Sequence, residues 1–181
     1  MLADWLRLRL LSAQRGGEVI QMRWTDITKV DRRRVWTIPA DVAKNGRAHS
    51  VPLSAAAVAI LARRRRAVDR AVAWVFPNDL NRGAATDRAK KVHLSTFLAG
   101  AEDVRGHDLR RTAASGLARL GVSRETIAHV LNHVDRGPKS TKVYDRFDRL
   151  PEKRRALDAW ARNVDRIVTG ATAPKVVPFG R

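Results

Sequence analysis

Gly106-His107-Asp108-Leu109-Arg110-Arg111-Thr112, followed by Leu131-Asn132-His133 and then by Tyr144, is the stretch on which the reading of this chain turns. Its last member is the only tyrosine in the protein. A phenol with a pKa near ~10 is mostly protonated at neutral pH, so it becomes a useful nucleophile only beside a base or a cluster of cations. Two histidines and an arginine precede it on the same stretch. In a strongly basic chain, that combination points to a nucleophile aimed at a phosphate.

The composition says what kind of phosphate. Lys and Arg number 36 against 18 Asp and Glu, giving a formal net charge of +18 and a pI near 11.6. Such a balance calls for a polyanion. Nucleic acid fits first, because each phosphate neutralised releases condensed counterions and so drives binding. A membrane surface fits less well, since the basic residues are spread along the chain and form no single amphipathic anchor. With 181 residues, 44% of them hydrophobic, the chain is long enough for one well-packed domain. The absence of cysteine removes disulfides, thiolate nucleophiles and sulfur ligands. Arg7 and Arg9 interrupt the apolar start, so it does not resemble a signal peptide, and no apolar run is long enough to span a bilayer. The expected location is the cytoplasm.

Outward from the deciding stretch, the hydrophobic spacing predicts a mainly helical protein with a small sheet. Leu2, Leu6, Leu10 and Leu11 with Trp5 predict a short amphipathic helix over 2–11, broken at Gly16-Gly17 and resumed over 18–24 by Val19, Ile20 and Met22. Arg15 falls in the corner between the two. Strands are expected over 25–30 and 35–38, joined by a polar turn at 31–34, and a third over 49–53. Lys44-Asn45-Gly46 lies in the second connection, where Asn-Gly is a strong turn signal, so Lys44 is expected near a hairpin tip. Ser54 should cap an alanine-rich helix reaching about residue 71, whose arginine run at 63–66 reads as a solvated face. Further helices are expected over 87–98, 108–120 (stopped by Gly121), 124–131 (capped by Ser123), after Gly137-Pro138, and from Pro151 onward. In the last of these, Leu157, Trp160, Ala161, Val164 and Ile167 form one apolar stripe, and the tail after residue 169 reads as loose.

Five segments, in order, are Ser12-Ala13-Gln14-Arg15-Gly16-Gly17-Glu18, Lys44-Asn45-Gly46-Arg47 with Val51-Pro52-Leu53, His107-Asp108-Leu109-Arg110-Arg111-Thr112, Leu131-Asn132-His133, and Val143-Tyr144. Together they resemble the tyrosine recombinase (phage integrase) family, in that family's order and roughly its spacing, over residues 2 to about 167. The resemblance implies an α+β, mainly α catalytic fold with a three-stranded antiparallel sheet, occupying 1–169 and followed by a flexible tail over 170–181.

It also implies a chemistry that the residue types can perform. Tyr144 would attack the scissile phosphodiester, leaving a 3′-phosphotyrosyl bond and a free 5′-hydroxyl, with no ATP needed. Arg15 and Arg110 are guanidinium forks suited to clamping the charged phosphoryl oxygens. Lys44 would protonate the departing 5′-oxygen. His107 would serve as base or proton shuttle and His133 as a hydrogen-bond donor to a phosphate oxygen, although the sequence does not separate these two roles. No cofactor or metal is implied, because protein cations neutralise the charge. The implied partner is double-stranded DNA, with a homo-tetramer as the active complex.

Each residue also has a plainer reading by itself. Arg15 is an ion-pair partner for Glu18, Lys44 a solvated turn residue, His107 a helix cap, His133 a polar helix end and Tyr144 a half-buried aromatic. Their joint occurrence carries the functional reading. His129 and His133 are four apart, but Val130 stands where a zinc protease needs glutamate, and His49 and His93 read as surface residues. Two departures stand out. Asn132 occupies a position where the family usually has glycine, a mild change because Asn tolerates left-handed backbone. The helical domain that usually precedes the catalytic one is absent from the sequence, leaving a catalytic fragment or a shortened relative as the alternatives. A non-catalytic DNA-binding remnant and a type IB topoisomerase-like nicking-closing enzyme are the competing functions.

Overall fold

The computed structural model describes residues 1–78, 80, 83–85, 107–133 and 149–171. The helices expected over 87–98 and after Gly137-Pro138, together with His93, Tyr144 and the tail beyond residue 171, lie outside the described residues.

Helix α1 (Leu2–Ser12) is the centre of the molecule, with α3 (Ala55–Ala67), α4 (Asp108–Arg119) and α6 (Leu150–Thr169) packed around it. It is less one-sided than its leucine spacing predicts. Trp5, Leu8 and Leu11 are buried, but so are Asp4, Arg9 and Ser12, while Leu2, Leu6 and Leu10 are only partly covered. A helix packed from several directions must bury polar positions as well, and each is answered. Asp4 pairs with Arg63, the guanidinium of Arg9 lies 4.4 Å over the Trp5 ring, and Ser12 Oγ donates to Leu8 O at 2.7 Å.

A five-residue helix, α2 (Gly16–Ile20), follows Ala13, whose left-handed φ of 58° ends α1. It is shorter than expected, and Trp24–Asp26 forms a 3₁₀ turn instead of continuing it. Strands β1 (Ile27–Val30), β2 (Arg33–Ile38) and β3 (His49–Pro52) make an antiparallel sheet in the order β1-β2-β3. Val30 pairs with Arg33, so the first turn has just two central residues, Asp31 and Arg32, both at positive φ. That is the backbone sign a right-twisted hairpin demands, met here without glycine. The inner side of β2, carried by Trp36 and Ile38, joins the core.

Ser54 caps α3 as predicted, accepting from Ala57 N at 3.3 Å, but the helix stops at Ala67. The arginine run is not a uniformly solvated face. Arg64 is buried, donating to Val75 O at 3.3 Å with its charge over Phe76, and Arg65 lies 4.9 Å over Trp24. Helices α4 and α5 (Arg124–Val130) lie where the sequence puts them, and Ser123 Oγ caps α5 from Thr126 N at 3.2 Å. Pro151 stands in the first turn of α6. Its stripe reaches the core through Leu157, Trp160 and Ala161, with Val164 at the margin, but Ile167 is 68% exposed because α6 runs past the end of the bundle. Trp160 lies across Gly116 of α4 and donates through Nε1 to Leu10 O at 2.8 Å, so one side chain joins α1, α4 and α6.

Candidate active site

Arg110, in the first turn of α4, is 4% exposed. Its Nη1 donates to Ala13 O at 2.9 Å and its Nη2 to Leu131 O. Those carbonyls close the C-terminal ends of α1 and α5, where unpaired C=O groups give a partial negative charge. The guanidinium thus sits in a dry site held by dipoles, with no carboxylate in ion-pair contact among the described residues. Burial lowers its pKa to about 10, and the charge on Arg15 adds to the effect. It stays cationic at neutral pH and is short of a counter-anion.

Arg15 is the residue before α2 and remains partly exposed. Its Nη1 pairs with Glu18 Oε1 at 3.1 Å, and its backbone N–H donates to Glu18 Oε2 at 3.1 Å. The plain ion-pair reading is therefore true, and it is compatible with the other one, because the same carboxylate fixes the arginine in place. Glu18 Oε1 also accepts from Lys44 N at 3.3 Å, which ties the loop between β2 and β3 to the α2 corner. Lys44 sits in the turns of that loop, where Gly46 N returns to Ala43 O at 2.9 Å, and its side chain is exposed.

His107 occupies the cap position of α4 but makes no side-chain capping bond; only its carbonyl is used, by Arg110 N and Arg111 N. Its ring is thus not committed to the helix. His133 is placed by the way α5 ends. His133 N donates to Ala128 O at 3.0 Å and Asn132 N to His129 O at 3.2 Å, with Asn132 at φ 49°. This pair of bonds is a Schellman termination, which needs a left-handed residue where Asn132 stands. Both imidazoles are held below the usual histidine value. Partial desolvation is the first cause; Arg110 and then Arg111 and Arg15 act on His107, and Arg110, Arg15 and His107 act on His133.

Arg15, His107, Arg110 and His133, from three separate parts of the chain, therefore share one electrostatic neighbourhood, and the Lys44 loop is anchored to it. Tyr144 lies outside the described residues. A region with two guanidinium groups and two neutral imidazoles favours an anion carrying several oxygens, and the imidazoles are free to take or give a proton.

Sequence reasoning missed several supports. His49, expected at the surface, is 6% exposed, with its Nε2 3.2 Å from Val130 O. Gln14 is wholly buried and donates from Nε2 to Ser12 O and Val130 O at 2.7 and 2.8 Å. Asn45 Nδ2 donates to Asn132 O and Oδ1 at 3.1 and 3.0 Å, and Asn132 Nδ2 returns a bond to Asn45 Oδ1 at 3.3 Å. Except for Ser12 beside Gln14, these partners lie 81 to 116 residues apart in the chain, so no local pattern announces them.

Comparison with known proteins gives consistent relatives. A family model described as "Phage integrase family" matches residues 2–149. Prophage integrase IntA of Escherichia coli K12 is 30% identical over 154 residues, covering 84% of this chain and 36% of that protein. Prophage integrase IntZ of the same strain is 31% identical over 176 residues, covering 93% of this chain and 41% of the relative. The chain thus spans well under half the length of these curated relatives. Among solved structures, the XerH site-specific recombinase bound to difH substrate in a pre-cleavage complex superposes with a TM-score of 0.57 at 16% identity, over 92% of this chain and 46% of that one. The XerA recombinase gives a TM-score of 0.56 at 16% identity, over 96% and 64% of the two chains. The mainly helical fold with its three-stranded sheet is therefore the fold of these recombinases.

Proposed function

The chain belongs to the phage integrase family, and on that premise we propose that it is the catalytic part of a site-specific recombinase that cuts and rejoins duplex DNA through a 3′-phosphotyrosyl intermediate. The observation that carries the reading is the gathering of Arg15, Arg110, His107 and His133 into one charged neighbourhood with the Lys44 loop tied to it. The catalytic unit is residues 1–169, and four copies act together on two DNA duplexes.

In the first half-reaction the Tyr144 oxygen attacks phosphorus while its proton passes to a neutral imidazole, His107 being the assigned base. The P–O5′ bond breaks with its electron pair going to O5′, which takes a proton from the Lys44 ammonium. The phosphodiester bond energy is kept in the tyrosyl ester. Rejoining runs these steps in reverse with the 5′-hydroxyl of another strand. Arg15 and Arg110 hold the non-bridging oxygens, and Arg110, held in advance by two helix ends, needs no rearrangement as charge develops. Losing such a donor costs on the order of a hundredfold in rate.

The test is a nicked suicide duplex carrying the target sequence. Wild type should form a covalent protein–DNA adduct in EDTA and without ATP, and Tyr144→Phe should form none. A persistent adduct in that variant, or dependence on a divalent ion, overturns the mechanism. A second reading is a DNA-binding module without catalysis, which the net charge of +18 would serve equally well. It predicts salt-sensitive duplex binding with no adduct on any substrate. Relaxation of supercoiled plasmid without site preference would instead indicate a topoisomerase-like activity.

A further inference from the structure

Asn132 has two separable uses. Its backbone, at φ 49°, ends α5 and sets the position of His133 through the paired returns to His129 O and Ala128 O. Glycine would serve that purpose at least as well. Its side chain does something glycine could not. Asn132 Oδ1 accepts from Asn45 Nδ2 at 3.0 Å, and Asn132 Nδ2 donates to Asn45 Oδ1 at 3.3 Å, so the two amides are joined head to tail. Asn45 Nδ2 also reaches Asn132 O at 3.1 Å, and Asn45 Oδ1 accepts from Arg47 N at 3.2 Å, which folds the loop around the same group. Asn45 directly follows Lys44, and Asn132 directly precedes His133.

We propose that the Asn45–Asn132 amide pair is a positioning device that locks the Lys44 loop to the histidine corner, setting where the lysine ammonium stands relative to the phosphate held by His133 and Arg110. The inference rests on the reading of Lys44 as the acid that protonates the leaving 5′-oxygen. Apart from this pair, the hydrogen bond that ties the loop to the site among the described residues is Lys44 N to Glu18 Oε1 at 3.3 Å. That bond, with the buried Ala43, holds the loop on the side that precedes Lys44. The amide pair adds an attachment on the other side of Lys44, so that the lysine is held from both directions. Neither asparagine touches the reacting atoms; both act through Lys44.

The chemistry offers a readout that general damage would not mimic. When the bridging 5′-oxygen of the scissile phosphate is replaced by sulfur, the leaving group is a thiolate, stable without protonation, and the acid becomes dispensable. The experiment measures single-turnover adduct formation at saturating DNA, on the oxygen and the sulfur duplex, for wild type, Asn132→Gly, Asn45→Ala and the double variant. Asn132→Gly keeps the α5 termination and so His133 in place, and thermal unfolding and duplex affinity verify that the variants fold and bind. On the oxygen substrate each single variant should be slowed by roughly 10- to 100-fold, the scale at which a misplacement of about 1 Å matters. The double variant should be no slower than the worse single one, since both delete one interaction. On the sulfur substrate all variants should come within about 2-fold of wild type, because no proton delivery is left to perturb. An equal defect on both substrates, no defect on either, or additive losses overturns the positioning role while leaving the recombinase reading intact. If wild type forms no adduct on either duplex, the recombinase reading fails and takes this inference with it.

Discussion

His107 and His133 are the residues at which the electrostatics of the site become measurable. Both stand within the field of Arg110 and Arg15, and both are held below the ordinary value of 6.5, desolvation being the larger cause. At pH 7 the free protein therefore presents two neutral imidazoles between cations, the state in which an imidazole can accept the proton of a phenol. The sign of the pH dependence follows. As pH falls through the lowered pKa values the rings gain protons, the base is lost, and adduct formation under subsaturating DNA should decline with a midpoint below 6.5. The decline should lose its dependence on this ionisation in His107→Gln, leaving a slow, flat profile, whereas His133→Gln should lower the rate and keep the acid limb. The opposite assignment of limbs would exchange the two roles. Linkage adds a stability counterpart: unfolded imidazoles take up protons near 6.5 and the folded ones only at lower pH, so the folded state loses stability as pH drops below 6.5. A melting temperature that rises on acidification through that range would contradict the assigned direction.

Elements were more legible in the sequence than the contacts between them. The three strands, the Ser54 and Ser123 caps and the proline at the start of α6 were all readable, because each is set by residues adjacent in the chain. The tight turn at Asp31-Arg32 was not, since both residues adopt positive φ without the glycine that usually signals it. Nor were the buried polar side chains of Arg9, Arg64 and His49, whose partners come from packing and not from spacing. Gly116 illustrates the same limit: nothing local marks it, yet a Cβ there would lie 2.0 Å from Trp160 Cζ3. The ring cannot easily give way, being 3% exposed and held by its bond to Leu10 O at 2.8 Å. Gly116→Ala should therefore separate α4 from α6 at a cost of about 1–3 kcal/mol or more. For a chain of this size that means a melting temperature lower by roughly 2–4 °C per kcal/mol. Adding Trp160→Leu should restore part of the loss; a Gly116→Ala protein that melts with wild type would mean that α4 and α6 do not pack as closely as described.

At the scale of the whole molecule, the members of the candidate site were legible in the sequence and its scaffold was not. Arg15, Lys44, His107, Arg110 and His133 could be named because their local segments are distinctive, but the contacts that relate them, Glu18 to the Lys44 loop and Asn45 to Asn132, span 26 and 87 residues. The net charge of +18 acts at this largest scale too, and on the proposed function it would set how the protein meets DNA. Each Lys or Arg that neutralises a phosphate displaces about one counterion, so the logarithm of the binding constant should fall linearly with the logarithm of salt concentration, by about 0.9 per contact. Arg47 is a sharp probe of where the DNA lies. It is exposed, belongs to the same loop as Lys44, and its backbone N–H, not its side chain, makes the bond to Asn45. If that loop reaches the DNA backbone, Arg47→Ala should reduce the magnitude of the salt slope by about 1 and weaken binding by a similar factor on any duplex sequence, since a phosphate contact carries no base information. The measurement is equilibrium binding to a target and to an unrelated duplex across a range of salt. An unchanged slope would place the Lys44 loop away from the DNA and so remove the lysine from the leaving-group oxygen, whereas a slope reduced on the target duplex alone would make Arg47 a reader of base sequence.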